Sequence, residues 1–446
     1  MDAGLIPQFG GLLWTLLAFV TALSVIVAIH EYGHYIVGRW CGIKADVFSI
    51  GFGPRLFSRV DRHGTRWQVA ALPLGGYVKF RGDANAASVG SDGTVTAMSD
   101  AERAQTMTGA SLWRRAATVA AGPVFNFILA IAVFAGFMLV QGRPADAPVV
   151  GPVADLPADM AVLRPGDRIL SAAGEPIETM ADLGAIAAEL RDAPTIPYEV
   201  ERDGDVLRID AVPPLLPRAA SVQPRSAAWE IGLREGDLVR RIDGERVTTF
   251  RDLQDAVEAS EGRALTLDVW RPSERRDLTV TLVPRRMDLP SADGGFETRW
   301  LIGLSGGLAF EPMTERVGPL DALLGGVSQT WFIITSSLSA IGHIVLGQIS
   351  TCNLSGPVGI AETSGAVASM GAGNFIWFIA VLSTAVGMLN LFPIPVLDGG
   401  HLVFHAYEAV RGKPPSDDAV RVLMTMGIVL MGALMAFALF NDIFCP

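Results

Sequence analysis

The sequence predicts a polytopic α-helical membrane protein with four spans, a small cytoplasmic antiparallel β-sheet, and two external α+β units. Three observations predict it. Long, continuously apolar stretches without a charged residue recur four times, the charged segments between them differ in sign, and one motif repeats at an offset of 70 residues. Half of the 446 residues are hydrophobic and 18% are charged, too oily for a soluble enzyme or a disordered chain. A net charge of −11 without a basic run argues against nucleic acid as a partner. Cys41, Cys352 and Cys445 show no close spacing, which excludes a disulfide scaffold and a cysteine zinc site.

The spans come first. A bilayer core needs roughly 20 apolar residues in helical form. No charge falls between Asp2 and His30, between Arg115 and Arg143, between Glu362 and Asp398, or from Val422 to Phe440. The predicted spans are 10–37, 117–141, 374–397 and 422–440. The first lacks a basic start and is too long for a cleaved signal peptide. Residues 322–361 also lack Asp, Glu, Lys and Arg, but Ser, Thr and Gln interrupt them, and the pattern suits an interfacial or packed helix as well as a span.

Charge sets direction. Segment 38–115 carries 11 Lys+Arg against 6 Asp+Glu, whereas 143–320 carries 21 Arg against 31 Asp+Glu. The positive-inside rule places 38–115 in the cytoplasm and the long acidic segment outside, with both termini external. Within the cytoplasmic segment, Val47–Ile50, Leu56–Val60, Arg66–Ala71 and Tyr77–Phe80 read as strands, with turns at 51–54, 61–64 and 73–76. Residues 86–110 read as a mobile linker.

The external repeat aligns Leu163-Arg164-Pro165-Gly166-Asp167-Arg168-Ile169 with Leu233-Arg234-Glu235-Gly236-Asp237-Leu238-Val239, and Gly174-Glu175 with Gly244-Glu245. Each unit reads as strand, Gly-Asp turn, strand, helix (Met180–Arg191; Phe250–Ser260), then strands. The pattern resembles tandem PDZ domains of the permuted bacterial type, at 145–215 and 216–286. Such domains hold extended peptides by strand addition. The alternative is a steric cap with an unused groove. Val162, standing where the second unit has Gly232, weakens ligand binding by the first.

The chemistry lies at the end of the first span, in His30-Glu31-Tyr32-Gly33-His34. Positions i and i+4 share a helix face, so both imidazoles reach one ion, and neutral imidazole suits Zn²⁺. Glu31 then stands beside the metal-bound water as general base. Two His and a Glu in a membrane helix are expensive unless they serve a purpose. Catalytic zinc takes three protein ligands. Asp398, among the Pro and Gly residues of 393–400, is favoured by depth over His401 and His405 as the third. His401 then packs or lies behind the ligands, and His63 and His343 have solvated or structural roles. For Asp398 to meet His30 and His34, the span at 374–397 must run in the same direction as the first, so 322–348 does not cross.

These residues resemble those of the site-2 protease family, and within it the bacterial RseP-type, regulator-of-sigma-E branch. The resemblance extends to Pro73–Val78, Ala121–Asn126 and Ser355–Ala361 and covers nearly the whole chain. It implies an intramembrane zinc metalloprotease of the bacterial inner membrane, with the PDZ units periplasmic. It would cut transmembrane segments of single-pass proteins: anti-sigma factors already trimmed outside, and remnant signal peptides. It assigns His30, His34 and Asp398 to zinc and Glu31 to the base. The 73–80 hairpin, with Gly75, Gly76 and Tyr77, would offer an edge strand to unwound substrate, and Asn390 would hold its backbone. Asn126 would be a substrate contact or a helix-packing group. The domain plan that follows is 1–40, first span; 41–115, cytoplasmic sheet and linker; 116–142, second span; the PDZ pair; 287–372, external helices; 373–412, third span with the Asp motif; 413–446, fourth span.

Overall fold

The computed structural model describes residues 5–83, 98–290 and 296–444. The chain forms two compact units. One comprises the N-terminal part to Phe137, Pro319–Gly347 and the chain from Thr351 onward; the other comprises Met138–Gly318 with Gln348–Ser350.

In the first unit, helix α1 (Leu5–Trp40) contains the first predicted span and the His-Glu-x-x-His motif. A hairpin of β1 (Ala45–Val60) and β2 (Arg66–Phe80) follows. Residues 47–50 are central: they pair with 76–79 on one side and with 66–69 on the other. The turns expected at 51–54 and 73–76 are instead bends within continuous strands. Gly51 and Gly53, at φ of 88° and 84°, supply the backbone conformation that lets β1 fold back on itself without breaking. Tyr35, Phe48, Val78 and Phe80 are buried between hairpin and helix, and Phe48 stacks on Trp67 at 4.3 Å. Asp61 ties the hairpin to α1. Its carboxylate accepts from Tyr35 Oη (3.1 Å), Trp67 Nε1 (3.0 Å) and the N–H groups of His63 and Thr65. Burial alone would raise its pKa, but these donors outweigh that and bring it down to about 2. Of the predicted linker, residues 86–97 lie outside the described residues, and the remainder carries α2 (Asp100–Arg103), closed by a Ser99–Glu102 capping box. Helix α3 (Leu112–Gln141) contains the second span, with Pro123 inside it.

The second unit is closed where the chain enters and leaves it: β3 (Arg143–Pro144) pairs with β18 (Thr314–Glu315). The first repeat builds β4 (Val150–Val153), β5 (Arg168–Ala172), β6 (Glu175–Pro176), α4 (Met180–Glu189), β7 (Ile196–Arg202) and β8 (Asp205–Ala211). The second builds β9 (Leu215–Val222), α5 (Ala227–Glu230), β10 (Leu238–Ile242), β11 (Glu245–Arg246), α6 (Phe250–Ala259), β12 (Leu265–Arg271) and β13 (Arg276–Leu282). Next come a β14 (Arg285–Pro290) and β15 (Phe296–Leu301) hairpin, then β16 (Leu304–Leu308) and β17 (Phe310–Pro312). The Gly-Asp signature has a structural cause. Asp167 is 1% exposed and takes two hydrogen bonds from Arg202 (2.7 and 2.8 Å) and one from Arg164 N–H. Asp237, also 1% exposed, takes the same set from Arg271 and Arg234 N–H. Both repeat helices start with a capping box, Thr179–Asp182 and Thr249–Asp252.

The two repeats share strands. Leu216 of β9 is buried in the first repeat's core, and Ala219 and Val222 of the same strand in the second's. Strand β16 pairs with β9, whereas β17 pairs with β4 and buries Phe310 in the first core. Between β16 and α6 the space is narrow: a Cβ on Gly306 would stand 2.7 Å from the Phe250 ring.

After this unit, α7 (Pro319–Val345) returns to the first. It lies against the middle of α3: a Cβ on Gly326 would meet Ile131 O at 2.6 Å, and Ile333 joins Ala130, Phe134 and Ala380. Its Thr hydroxyls bond carbonyls within the helix, Thr330 to Gly326 (2.8 Å) and Thr335 to Trp331 (3.0 Å), so these polar residues do not require water. Helix α8 (Pro357–Ser369) begins at the Ser-Gly-Pro-Val-Gly stretch. Asp442, near the end of α11 (Asp417–Phe444), accepts the N–H groups of Gly356 (2.8 Å), Val358 (3.0 Å) and Gly359 (3.2 Å) and so caps α8. Helix α9 (Ala372–Asn390) stops short of the predicted 397, because Pro393 and Pro395 cannot continue a helix. Helix α10 (Asp398–Arg411) starts after this break. Among the described residues, α1, α3, α9 and α11 are long and apolar enough to cross a membrane. Cys352 is disulfide-bonded, a single link rather than a disulfide scaffold. Cys41 is free and buried, and Cys445 lies outside the described residues.

Candidate metal centre

Small residues let three helices converge. At the crossing of α1 and α3, Gly33 faces Ala121 O, where a Cβ would stand 2.5 Å away. Gly122 faces both imidazoles: its Cβ would lie 2.5 Å from His34 Cε1 and 2.8 Å from His30 Cε1. Gly387 brings α9 against Pro123 O and Asn126 Cβ (3.1 and 3.2 Å), and Ser383 Oγ donates to Asn126 O at 2.9 Å. In the Asp-Gly-Gly turn, a Cβ on Gly399 or Gly400 would collide with the carbonyls of residues 391, 392 and 394. Only glycine lets α10 begin folded back on that segment. Arg115 of α3 pairs with Glu408 at 2.6 Å and anchors the other end of α10.

The result is one cluster. His30 Nε2 is 3.1 Å from Asp398 Oδ2, His34 Nε2 is 3.5 Å from Asp398 Oδ1, and the two Nε2 atoms are 3.1 Å apart. Zinc bonds of about 2.0–2.1 Å in a tetrahedron put neighbouring ligand atoms ~3.3 Å apart, close to all three separations. Asp398 Oδ2 is buried without a hydrogen-bond partner, and two imidazole nitrogens face each other. A cation among the three groups resolves both. Among the described residues, His30, His34 and Asp398 are the His/Cys/Asp/Glu group whose ligand atoms converge within 4.8 Å.

Other candidates fall in different places. Gly76 of β2 runs beside Glu31, where a Cβ would stand 3.3 Å from Glu31 Cγ and 2.9 Å from Val27. The backbone of Val78 reaches the Glu31 carboxylate. Gly75 abuts the Phe52 ring, and Tyr77 Oη accepts from Gln68 at 3.3 Å. Asn390 Nδ2 bonds back to Val386 O at 3.0 Å. Asn126 is 0% exposed and sits against His30 Nδ1 at 3.2 Å. His401 and His405 lie outside the cluster, on α10 beyond Asp398. His63 bonds Arg39 at 2.6 Å, and His343 Nδ1 bonds Ser339 O at 2.7 Å. Sequence reasoning missed Thr118, whose backbone O lies 2.9 Å from His34 Nδ1, because a carbonyl leaves no trace in residue type. Gly33 and Gly122 carried the signal of a close helix crossing.

The model of peptidase family M50 matches residues 18–434. The chain belongs to this family. Relatives of this M50 peptidase span its full length. A protein of Agrobacterium fabrum provisionally assigned as a zinc metalloprotease is 38% identical over 426 residues, covering 95% of this chain and 94% of its own. The regulator of sigma-E protease RseP of Escherichia coli is 34% identical over 463 residues (96% and 98%). RseP of Salmonella typhimurium is 32% identical over 465 residues (97% and 98%). The M50 peptidase is a membrane protein and a zinc metalloprotease, and Zn²⁺ is its cofactor.

Proposed function

We propose that this peptidase hydrolyses peptide bonds within or beside the membrane-spanning segments of single-pass proteins, with His30, His34 and Asp398 as zinc ligands and Glu31 as general base. The observation that carries the reading is the convergence of the three ligand groups at near-tetrahedral spacing, two on α1, which is long and apolar enough to span a bilayer, and one at the start of α10 just beyond α9. Zinc supplies Lewis acidity there, polarising a carbonyl and making water a nucleophile near neutral pH. Glu31, one residue from His30 on the same helix, takes the proton of the attacking water and passes it to the leaving amine. A peptide bond in a membrane helix is hydrogen-bonded and dry, so it must be unwound before water reaches it. Strand β2 passes directly beside Glu31, which supports the reading that its backbone at Gly75–Tyr77 pairs with extended substrate. Asn390 closes α9 next to the turn that carries Asp398 and is the second group assigned to the substrate backbone.

On the resemblance to the site-2 protease family, the substrates would be anti-sigma-factor-like proteins already shortened outside, and signal-peptide remnants, in the inner membrane of a bacterium. The charge asymmetry of the sequence puts the β1–β2 hairpin in the cytoplasm and the interlocked repeat pair outside, where the pair screens out substrates that keep bulky outer domains. The narrow space between Phe250 and Gly306 favours this filter role over peptide capture.

The test is a reconstituted cleavage assay on a single-span reporter, with and without an outer domain. Glu31→Gln is expected to retain zinc and lose cleavage by at least ~100-fold. Undiminished cleavage by that variant rejects the assignment.

A further inference from the structure

Helix α3 touches the outer nitrogen of each imidazole in the metal cluster. His34 Nδ1 lies 2.9 Å from Thr118 O. A carbonyl only accepts, so this nitrogen carries the ring proton and Nε2 presents its lone pair to the ion. The same requirement falls on His30. Its Nε2 is the atom near Asp398 Oδ2 and His34 Nε2, so its Nδ1 must carry the proton and needs an acceptor.

The neighbour of His30 Nδ1 is the Asn126 carboxamide, placed with Nδ2 towards the ring at 3.2 Å. An amide nitrogen only donates, so this orientation sets two donors against each other. At the same time Asn126 Oδ1 is buried with no hydrogen-bond partner among the described residues. Amide oxygen and nitrogen are exchanged by a half-turn of the terminal group, and the hydrogen-bond network decides between the two orientations. The half-turn gives the His30 proton an acceptor and removes the orphaned oxygen. One rotation cures both faults.

We propose that Asn126 is a positioning residue for the metal: its carboxamide oxygen accepts the His30 Nδ1 proton and holds the tautomer that presents Nε2 to zinc. The inference rests on the reading of His30 as a zinc ligand. Asn126 is 0% exposed, which leaves it no surface for substrate. Its own backbone is held by Ser383 Oγ on O at 2.9 Å, so α9 fixes the group that fixes the ligand. Partners of this kind set ring orientation and basicity, and their loss costs about 10–100-fold in metal affinity.

The experiment uses the full chain in detergent. Zinc affinity is measured by chelator competition, and ligand geometry by the visible spectrum of the cobalt(II)-loaded protein, for wild type, Asn126→Leu and Asn126→Asp. Leu has similar bulk and no acceptor; Asp keeps the acceptor. Asn126→Leu is expected to lose about 10–100-fold in zinc affinity and to alter the cobalt spectrum. Asn126→Asp is expected to stay within a few-fold of wild type with an unchanged spectrum, which a packing role does not predict. A folded Asn126→Leu with wild-type affinity and spectrum overturns the inference. So does an Asn126→Asp variant as impaired as Asn126→Leu. A wild type that binds no zinc removes the underlying ligand reading as well, and is distinguished because His30→Ala then changes nothing either.

Discussion

Replacing Gly122 by alanine adds one methyl group where α3 faces the metal cluster. Its Cβ would stand 2.5 Å from His34 Cε1 and 2.8 Å from His30 Cε1, whereas ordinary contact begins near 3.4 Å. Relief requires the His34 ring or the α3 backbone to move by about 0.9 Å, on the difference of those distances. Neither moves freely. His34 is tied to α3 through Thr118 O, and α3 is pressed against α1 at Gly33. Metal–ligand distances tolerate only about ±0.2 Å, and misplacement of a reacting group by about 1 Å costs on the order of 100-fold in rate. Alanine is otherwise the better helix former by ~1 kcal/mol, so a loss cannot come from helix propensity. Gly122→Ala is expected to lose most bound zinc and at least ~100-fold in cleavage of a membrane-embedded reporter. Gly136→Ala on the same helix, where a Cβ meets nothing within 4 Å, should match wild type. Purified Gly122→Ala with one zinc per chain and normal cleavage would refute the argument that α3 presses directly on the proposed metal ligands.

Three further outcomes follow from the geometry. Arg271→Met strands Asp237, which is 1% exposed, and should destabilise the second repeat by about 3–5 kcal/mol, read as faster limited proteolysis of the tandem; unchanged proteolysis contradicts the anchor role. Asp61 has a folded pKa of about 2, below an unfolded value of ~3.9, so its contribution is complete above pH ~4 and disappears as pH falls from ~4 to ~2. Acid titration of Trp67 fluorescence should lose that dependence in Asp61→Asn, and identical titrations would exclude Asp61 as the tie. Asp442→Ala releases three N–H groups at the start of α8 and should cost about 0.5–2 kcal/mol locally, seen as faster amide hydrogen exchange at 356–360; equal exchange counts against the cap.

The membrane part was legible because a bilayer leaves few options. The uncharged windows found α1, α3, α9 and α11, and two His with a Glu in such a window have few explanations other than chemistry. Asp398 was legible as the acid at the end of an apolar run. The end of α9 was misplaced by several residues because charge counting does not register Pro393 and Pro395 as a break. Pairing of Val153 with Phe310 was invisible, since nothing local in either segment specifies a partner so far along the chain. In α7 the Ser and Thr residues lowered the apparent hydropathy, although Thr330 and Thr335 satisfy their hydroxyls on the helix itself. Asn126 was recognised as important but not for what it touches, because its partner is fixed only when α1 and α3 cross.

The run from Leu304 to Pro312 stitches both repeats together, zipping onto β9 and then onto β4. The duplicated sequence therefore cannot be cut between its copies. Trimming the downstream copy would take a strand and Phe310 away from the upstream one, leaving an apolar hole in a module whose own residues were untouched. Evolution and protein engineering alike must inherit, swap or discard the two as a single cassette, and Arg143–Pro144 with Thr314–Glu315 mark where its ends meet.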